Sequence, residues 1–187
     1  MTPDTEDALL RSLALTLTEN AGATLQEMAR AAGVSRATLY RFAATREQLL
    51  DTLQQHVMEA MSRILDDAAL ESQPPLEALR QLIMGYIAER EFCVFMITQF
   101  EPYIKRNTQQ AYPDECVAHE HRLDEFFLRG QRAGIFRPDV PNRWLTDLFF
   151  GFIYMLCESE YRGRIARADM QRLFEDMFLS GALARAD

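Results

Sequence analysis

Apolar residues return every three or four positions along almost the whole chain, the spacing of helices that each bury one face. Leu9, Leu10, Leu13, Ala14 and Leu17 set a first helix over about residues 6–19. Leu25, Met28, Ala29 and Ala32 mark a second, and in a third Leu39 faces inward with Phe42 or Ala43 beside it. A fourth opens at Thr45 and can run to about Leu70 as one stiff rod. Pro74 and Pro75 start a fifth, whose buried stripe is Leu76, Leu79, Leu82, Ile83, Tyr86 and Ile87. A helix from Glu91 to about Arg106 follows, with Pro102 expected to kink or end it. Tyr112, Pro113 and Asp114 open another that ends at Gly130 or Gly134. The segment from Asn142 to about Tyr161 is apolar on more than one face. The last helix spaces Met170, Leu173, Phe174, Met177, Phe178 and Gly181 by threes and fours. No strand pattern, internal repeat or low-complexity tract interrupts the series, so the chain reads as all-α.

Residues 24–50 are the most sharply punctuated stretch. Thr24 followed by Glu27 is a capping box: the hydroxyl satisfies a first-turn amide and the carboxylate returns to the cap amide. Gly33 tolerates the left-handed backbone needed to leave a helix abruptly. Ser35 can cap the next helix, Arg36 to about Phe42, and Thr45 with Gln48 forms a second capping box. Helix, four-residue turn, helix and a further capped helix make a helix-turn-helix.

Charge gives that motif a partner. The chain carries a net charge of −8, yet from Ala29 to Arg46 it has no acidic residue and contains Arg30, Arg36, Arg41 and Arg46. A basic window in an acidic protein points to DNA phosphate. With Leu39 inward, Ala37, Tyr40 and Arg41 turn outward, flanked by Arg36 and Thr38. A helix fits the major groove, where its first residues reach base edges. Arg36 suits a guanine edge, Ala37 allows close approach or touches a thymine methyl, and Tyr40 reaches a base or a phosphate. Thr24, Thr38, Arg41 and Arg46 suit phosphate, which fixes register without reading sequence. Gln26 and Ser35 complete the expected DNA-binding set. The competing role for any one arginine is an ordinary solvated surface.

The segment LQEMARAAGVSRATLYRFAATREQLL resembles the N-terminal DNA-binding region of the TetR family of bacterial transcriptional regulators. The likeness spans about residues 6–52, and AAGVSRATLY with a basic residue six positions later is its most specific part. LRGQRAGIFRPDV, residues 128–140, is a weaker likeness to the connection between late helices of the family. The resemblance implies an all-α homodimer, with an N-terminal three-helix helix-turn-helix domain on a larger C-terminal helical ligand-binding and dimerisation domain. It also implies repression relieved by a small molecule. The chain then divides into a DNA-binding domain over 1–50 and an effector-binding and dimerisation domain over 51–187.

In the C-terminal part, Phe149, Phe152, Met155, Leu173, Met177 and Phe178 are the expected dimer contacts. Two helices from each subunit would form a four-helix bundle across a two-fold axis, with Gly151 and Gly181 allowing close approach. The competing role is completion of the monomer core. Candidates for a small hydrophobic effector are Met61, Met84, Phe95, Met96, Phe100, Glu101, Tyr103 and Phe127. Thioethers and aromatic faces suit a pocket that repacks around large apolar ligands, and ordinary core packing competes at each position. Residues 51–187 hold 15 basic and 22 acidic residues. Glu101 beside Phe100 and Tyr103 suits a lipophilic cation, whereas Arg90, Arg122 or Arg129 would suit an acyl or aromatic acid.

Other chemistries find little support. Cys116, His119 and His121, with Glu115 and Glu120, are loose metal ligands; on a helix His121 points away from the others, so neither a metal nor any cofactor is expected. No phosphate loop, nucleophile elbow or two-histidine zinc helix is present, so no enzyme is expected. Three widely spaced cysteines, Cys93, Cys116 and Cys157, fit a reducing bacterial cytoplasm. The longest uncharged apolar run, Leu148 to Cys157, is too short to span a membrane. Expected partners are therefore double-stranded DNA, a second copy of the chain and a hydrophobic effector, with no membrane. The alternatives are a ligand-independent DNA-binding protein acting through a protein partner, and a metal-responsive regulator.

Overall fold

The computed structural model describes residues 3–100 and 114–184. These form the helices α1 (Pro3–Glu19), α2 (Leu25–Ala31), α3 (Arg36–Phe42), α4 (Arg46–Asp67), α5 (Pro75–Ala88), α6 (Arg90–Phe95), α7 (Asp114–Arg132), α8 (Asn142–Tyr161) and α9 (Met170–Ala182). A π-helical turn, Met96–Phe100, continues α6, and a 3₁₀ turn, Arg167–Asp169, leads into α9. Among the described residues there is no strand; one isolated antiparallel bridge pairs Phe136 with Leu183.

The chain packs as two compact units. One comprises the described residues of 1–59 and 91–110, the other those of 60–90 and 111–187. These packing units and a division of labour after residue 50 are different cuts through the chain, because α6 packs with the N-terminal helices.

In the first unit Leu9, Leu10, Leu13, Ala14 and Leu17 of α1 are buried with Met28, Leu39, Leu49, Leu53 and Phe92. The stripe read from the sequence is thus the core, and α1 begins three residues earlier than expected, at Pro3. α4 has 22 residues, a rod of about 33 Å at 1.5 Å per residue. It ends at Asp67 rather than near Leu70, and Ala69 takes a left-handed φ of 46° in the turn that follows.

The second unit is built around aromatic rings. Phe127, Phe136, Phe149 and Phe174 are fully buried, with Phe174 and Phe178 centroids 4.9 Å apart and Phe127 and Phe136 5.2 Å apart. Pro75 starts α5 at its first helical position, where the missing amide removes no helical bond. Its stripe is buried at Leu79, Leu82, Ile83 and Tyr86, while Leu76 and Ile87 are half-buried. The two glycines expected to end α7 do different work. Gly134 takes a φ of +71° in the turn after the helix, whereas Gly130 lies inside it. A Cβ on Gly130 would sit 2.2 Å from Cδ2 of Phe136, so its bare backbone is the seat for that ring.

Candidate nucleic-acid interface

The α2–turn–α3 geometry is held by hydrogen bonds within a few residues of each other. Glu27 N donates to Thr24 Oγ1 at 3.3 Å, and Thr24 N donates to Glu27 Oε2 at 2.8 Å. These bonds from Thr24 hold the Glu27 carboxyl below its ordinary pKa. At the other end Val34 N donates to Ala29 O and Gly33 N to Arg30 O, at 3.0 and 3.2 Å. With Gly33 at φ 65°, that pair of bonds is a Schellman turn, and it fixes the exit from α2. Thr38 N then donates to Ser35 Oγ at 3.0 Å, capping α3.

Burial places the reader's faces. Leu39 is fully buried, and of the two residues that could join it, Ala43 turns inward while Phe42 is half-buried. Arg36, Ala37, Tyr40 and Arg41 are exposed, as are Thr24, Gln26 and Ser35; Thr38 and Arg46 are half-buried. The second capping box is offset. Gln48 N donates to Thr45 Oγ1 at 3.1 Å as expected, but Gln48 Oε1 accepts from Ala44 N at 3.1 Å rather than from Thr45. Ala43 leaves the helix in extended conformation, which brings the Ala44 amide to the glutamine.

Among the described residues, none of Arg30, Arg36, Arg41 and Arg46 has a carboxylate within 4.0 Å. Among the described residues no ion pair neutralises them, although Arg30 is near enough to help lower the pKa of the Glu27 carboxyl. Arg46 Nη2 donates to the Ala21 carbonyl, between α1 and α2, at 2.6 Å. That contact was not legible in the sequence, because it joins residues 25 positions apart.

Residues 20–53 match the family model of bacterial regulatory proteins, tetR family. Over 178 residues the chain is 38% identical to the HTH-type transcriptional regulator NfxB of Pseudomonas aeruginosa, covering 95% of this chain and 94% of that protein. The chain belongs to the TetR family of bacterial transcriptional regulators. It is also 28% identical over 150 residues to the HTH-type transcriptional repressor LfrR of Mycolicibacterium smegmatis, covering 80% of this chain and 75% of that one. In fold it is similar to the ketosteroid transcriptional regulator KstR2 of Mycobacterium tuberculosis, with a TM-score of 0.78 at 17% identity over 99% and 97% of the two chains. The LfrR structure in complex with proflavine matches with a TM-score of 0.68 at 22% identity, over 97% of each chain. As a TetR-family member the protein is a DNA-binding transcriptional regulator and not an enzyme. No described helix is long and apolar enough to cross a membrane.

The other expected sites of this TetR-family chain are only partly surface features. Phe149 and Phe178, expected at the dimer interface, are buried inside the second unit against each other, Phe127 and Phe174. With Phe149 fully buried and Phe178 2% exposed, both rings pack in the core of this chain. Met155 and Met177 are exposed, Phe152 and Leu173 half-buried, and the Cβ directions of Gly151 and Gly181 face open space. Of the effector candidates, Phe127 is fully buried among Phe126, Phe136, Phe149 and Phe178. Met84 is 51% exposed, so it points to solvent rather than into an interior pocket. Met61, Phe95 and Met96 are buried, the first in the second unit and the other two in the first. The Phe100 side chain, Glu101 and Tyr103 lie outside the described residues. So does the expected kink at Pro102.

The loose metal ligands do not converge. His119 is buried with Nε2 2.5 Å from Tyr86 Oη, while His121 is exposed. Burial, with Arg122 nearby, pushes the His119 pKa down to about 4, and burial with Glu120 and Glu115 pushes the Cys116 thiol up to about 11. Among the described residues no group of three His, Cys, Asp or Glu side chains could hold a metal ion. Cys93, Cys116 and Cys157 are buried thiols.

One polar cluster was missed by sequence reading. In the first unit Arg11 Nε meets Asp7 at 2.6 Å and Nη1 meets Glu91 of α6 at 3.2 Å, with the guanidinium 4.8 Å from the Phe92 ring centroid. His56 of α4 approaches the same Asp7 at 3.1 Å and the same ring at 5.3 Å. The Asp7–Arg11 spacing of four is a readable helical pair; the arrival of Glu91 and His56 is not.

Proposed function

We propose that this TetR-family regulator is a repressor that holds a pseudopalindromic operator as a homodimer and releases it when a small hydrophobic molecule binds its C-terminal part. The observation that carries the DNA side is the exposed reader whose four arginines lack carboxylate partners. Arg36 and Ala37 face base edges, Tyr40 stands beside them within reach of a base or a phosphate, and Thr24, Gln26, Ser35, Thr38, Arg41 and Arg46 face the backbone. The division of labour is a reader in residues 1–50 and an effector and dimerisation region in 51–187. The protein acts in the bacterial cytoplasm.

Dimerisation uses the face of α8 and α9 that carries Gly151, Phe152, Met155, Leu173, Met177 and Gly181. Exposed thioethers beside open glycines allow helices of a second copy to approach closely and bury apolar surface. Within the first unit the effector region draws on the buried Phe95 and Met96, with Phe100, Glu101 and Tyr103 following in sequence. A relative named a repressor and solved with proflavine supports both repression and a flat, lipophilic cation as effector class. The Arg11 cluster supplies the link to the reader. Because α6 is tied to α1 and α4 through Asp7, Arg11, His56, Glu91 and Phe92, a ligand that displaces α6 disturbs the helices that carry the reader. Release then requires tighter ligand binding to the DNA-incompetent state.

The test is binding to DNA fragments flanking the protein's own coding region, at about 0.15 M salt, with and without proflavine and long-chain fatty acids. A footprint on an inverted repeat that proflavine releases supports the whole reading. Release by fatty acids alone replaces the cation with an acid, and a footprint that no compound disturbs removes ligand gating.

A further inference from the structure

On the exposed face of α3, one turn apart, Arg36 and Tyr40 form a pair. Arg36 Nη2 donates to Tyr40 Oη at 3.2 Å, and the guanidinium carbon lies 5.1 Å from the Tyr40 ring centroid. Both side chains reach solvent, and Arg36 has no carboxylate competing for it among the described residues. Ala37, next to Arg36 in the chain, is exposed beside the pair.

We propose that Tyr40 is a positioning residue for base recognition: it holds the Arg36 guanidinium over its ring so that the free edge is presented to a guanine. This rests on the reading that α3 enters the major groove with Arg36 at a base edge. An arginine recognises guanine by two parallel N–H bonds to O6 and N7, which demands a planar group in one orientation. A solvated arginine holds no such orientation, and ordering its rotamers on binding opposes recognition. Tyr40 removes part of that cost in two ways. Its π-face attracts the cation, and its hydroxyl oxygen accepts one N–H, which leaves the remaining donors of the fork for the base. The hydroxyl hydrogen remains available to a phosphate. Tyr40 therefore sets how strictly guanine is required at one operator position without reading any base itself.

The full-length protein, with Tyr40→Phe, Tyr40→Leu and Arg36→Ala variants, is used to select from a double-stranded DNA library randomised across both half-sites. Dimer size and melting temperature are checked first, since all three substitutions lie on an exposed face. The wild type is expected to demand guanine at one position of each half-site, and Arg36→Ala to lose that demand. Tyr40→Leu should weaken it about two- to fivefold at the same position and nowhere else, with Tyr40→Phe in between. If Tyr40→Leu weakens binding to all sequences equally, Tyr40 is a phosphate contact and the proposal fails. It fails also if the preference changes at a different position, because Tyr40 then reads its own base. If Arg36→Ala leaves every preference intact, the placement of Arg36 at a base edge fails, and the positioning role goes with it.

Discussion

Among the described residues arginine is used differently in the reader, where none is paired with a carboxylate, and in the second packing unit, where most are. In the second unit Arg90 meets Glu160 at 3.5 Å, Arg122 meets Asp66 at 2.7 Å, Arg143 meets Asp124 at 3.5 Å and Arg162 meets Glu158 at 2.7 Å. Arg129 is spent on the backbone carbonyls of Leu70 and Gln73. In the reader, Arg30, Arg36, Arg41 and Arg46 have no acidic neighbour within salt-bridge distance among the described residues. The second unit pairs most of its arginines, Arg63, Arg132, Arg164 and Arg167 excepted among the described residues, and is built around edge-on and tilted rings. The reader keeps its charge for another molecule and owes its shape to short backbone bonds.

This contrast can be broken by experiment. The largest effect is expected in the aromatic core: Phe149→Ala should cost about 3–5 kcal/mol in chemical denaturation at fixed protein concentration. A loss below about 1 kcal/mol would mean that the rings do not carry the unit's stability.

Acid should also act on the second unit. His119 is buried neutral, with its pKa lowered to about 4 from an ordinary 6.5, so the unfolded chain takes up a proton first as the pH falls. The His119 contribution should therefore be constant above about pH 7 and decline between about pH 6.5 and 4, by on the order of 3 kcal/mol in total. Melting curves of His119→Gln should show a flatter decline over that window.

At the exposed arginines of the reader the effects should fall on DNA binding rather than on folding. Arg36→Ala should lose about 1–3 kcal/mol of operator affinity, and Arg41→Gln should weaken all sequences alike and reduce the salt slope by about 1. Neither should move the melting temperature. Arg122→Gln is the control from the other region: operator affinity unchanged, and stability altered by no more than about 1 kcal/mol, since its partners Asp66 and Glu71 are exposed. The smallest reader effect is Thr24→Ala, where a lost cap costs about 1 kcal/mol in thermal stability.

The same contrast explains what could be read from the sequence. The hydrogen bonds that set α2, its exit and the α3 cap act between residues three to five apart: Thr24 with Glu27, Ala29 with Val34, Ser35 with Thr38. Such contacts are written in local order, and α3 forms over the expected span, Arg36–Phe42. Long-range contacts are not. In α8 apolar residues occur on more than one face, and periodicity does not say which side meets the core, so Phe149 was expected at the surface and lies inside. Gly130 and Gly134 looked alike as helix stops until Phe136 was found seated on one of them. The offset of the Gln48 bond to Ala44 followed from the extended backbone at Ala43, which spacing alone does not reveal.

The anchoring of α3 bears on how such a regulator can diverge. Its position depends on Leu39 and Ala43 inside, on the Ser35 cap and on the backbone turn at Gly33, whereas Arg36, Ala37, Tyr40 and Arg41 support nothing beneath them. If α3 reads the operator as proposed, a duplicated copy can acquire a new target by point changes at these outward positions while inheriting its fold intact. Changes in the vocabulary it recognises and changes in its architecture are left to separate residues.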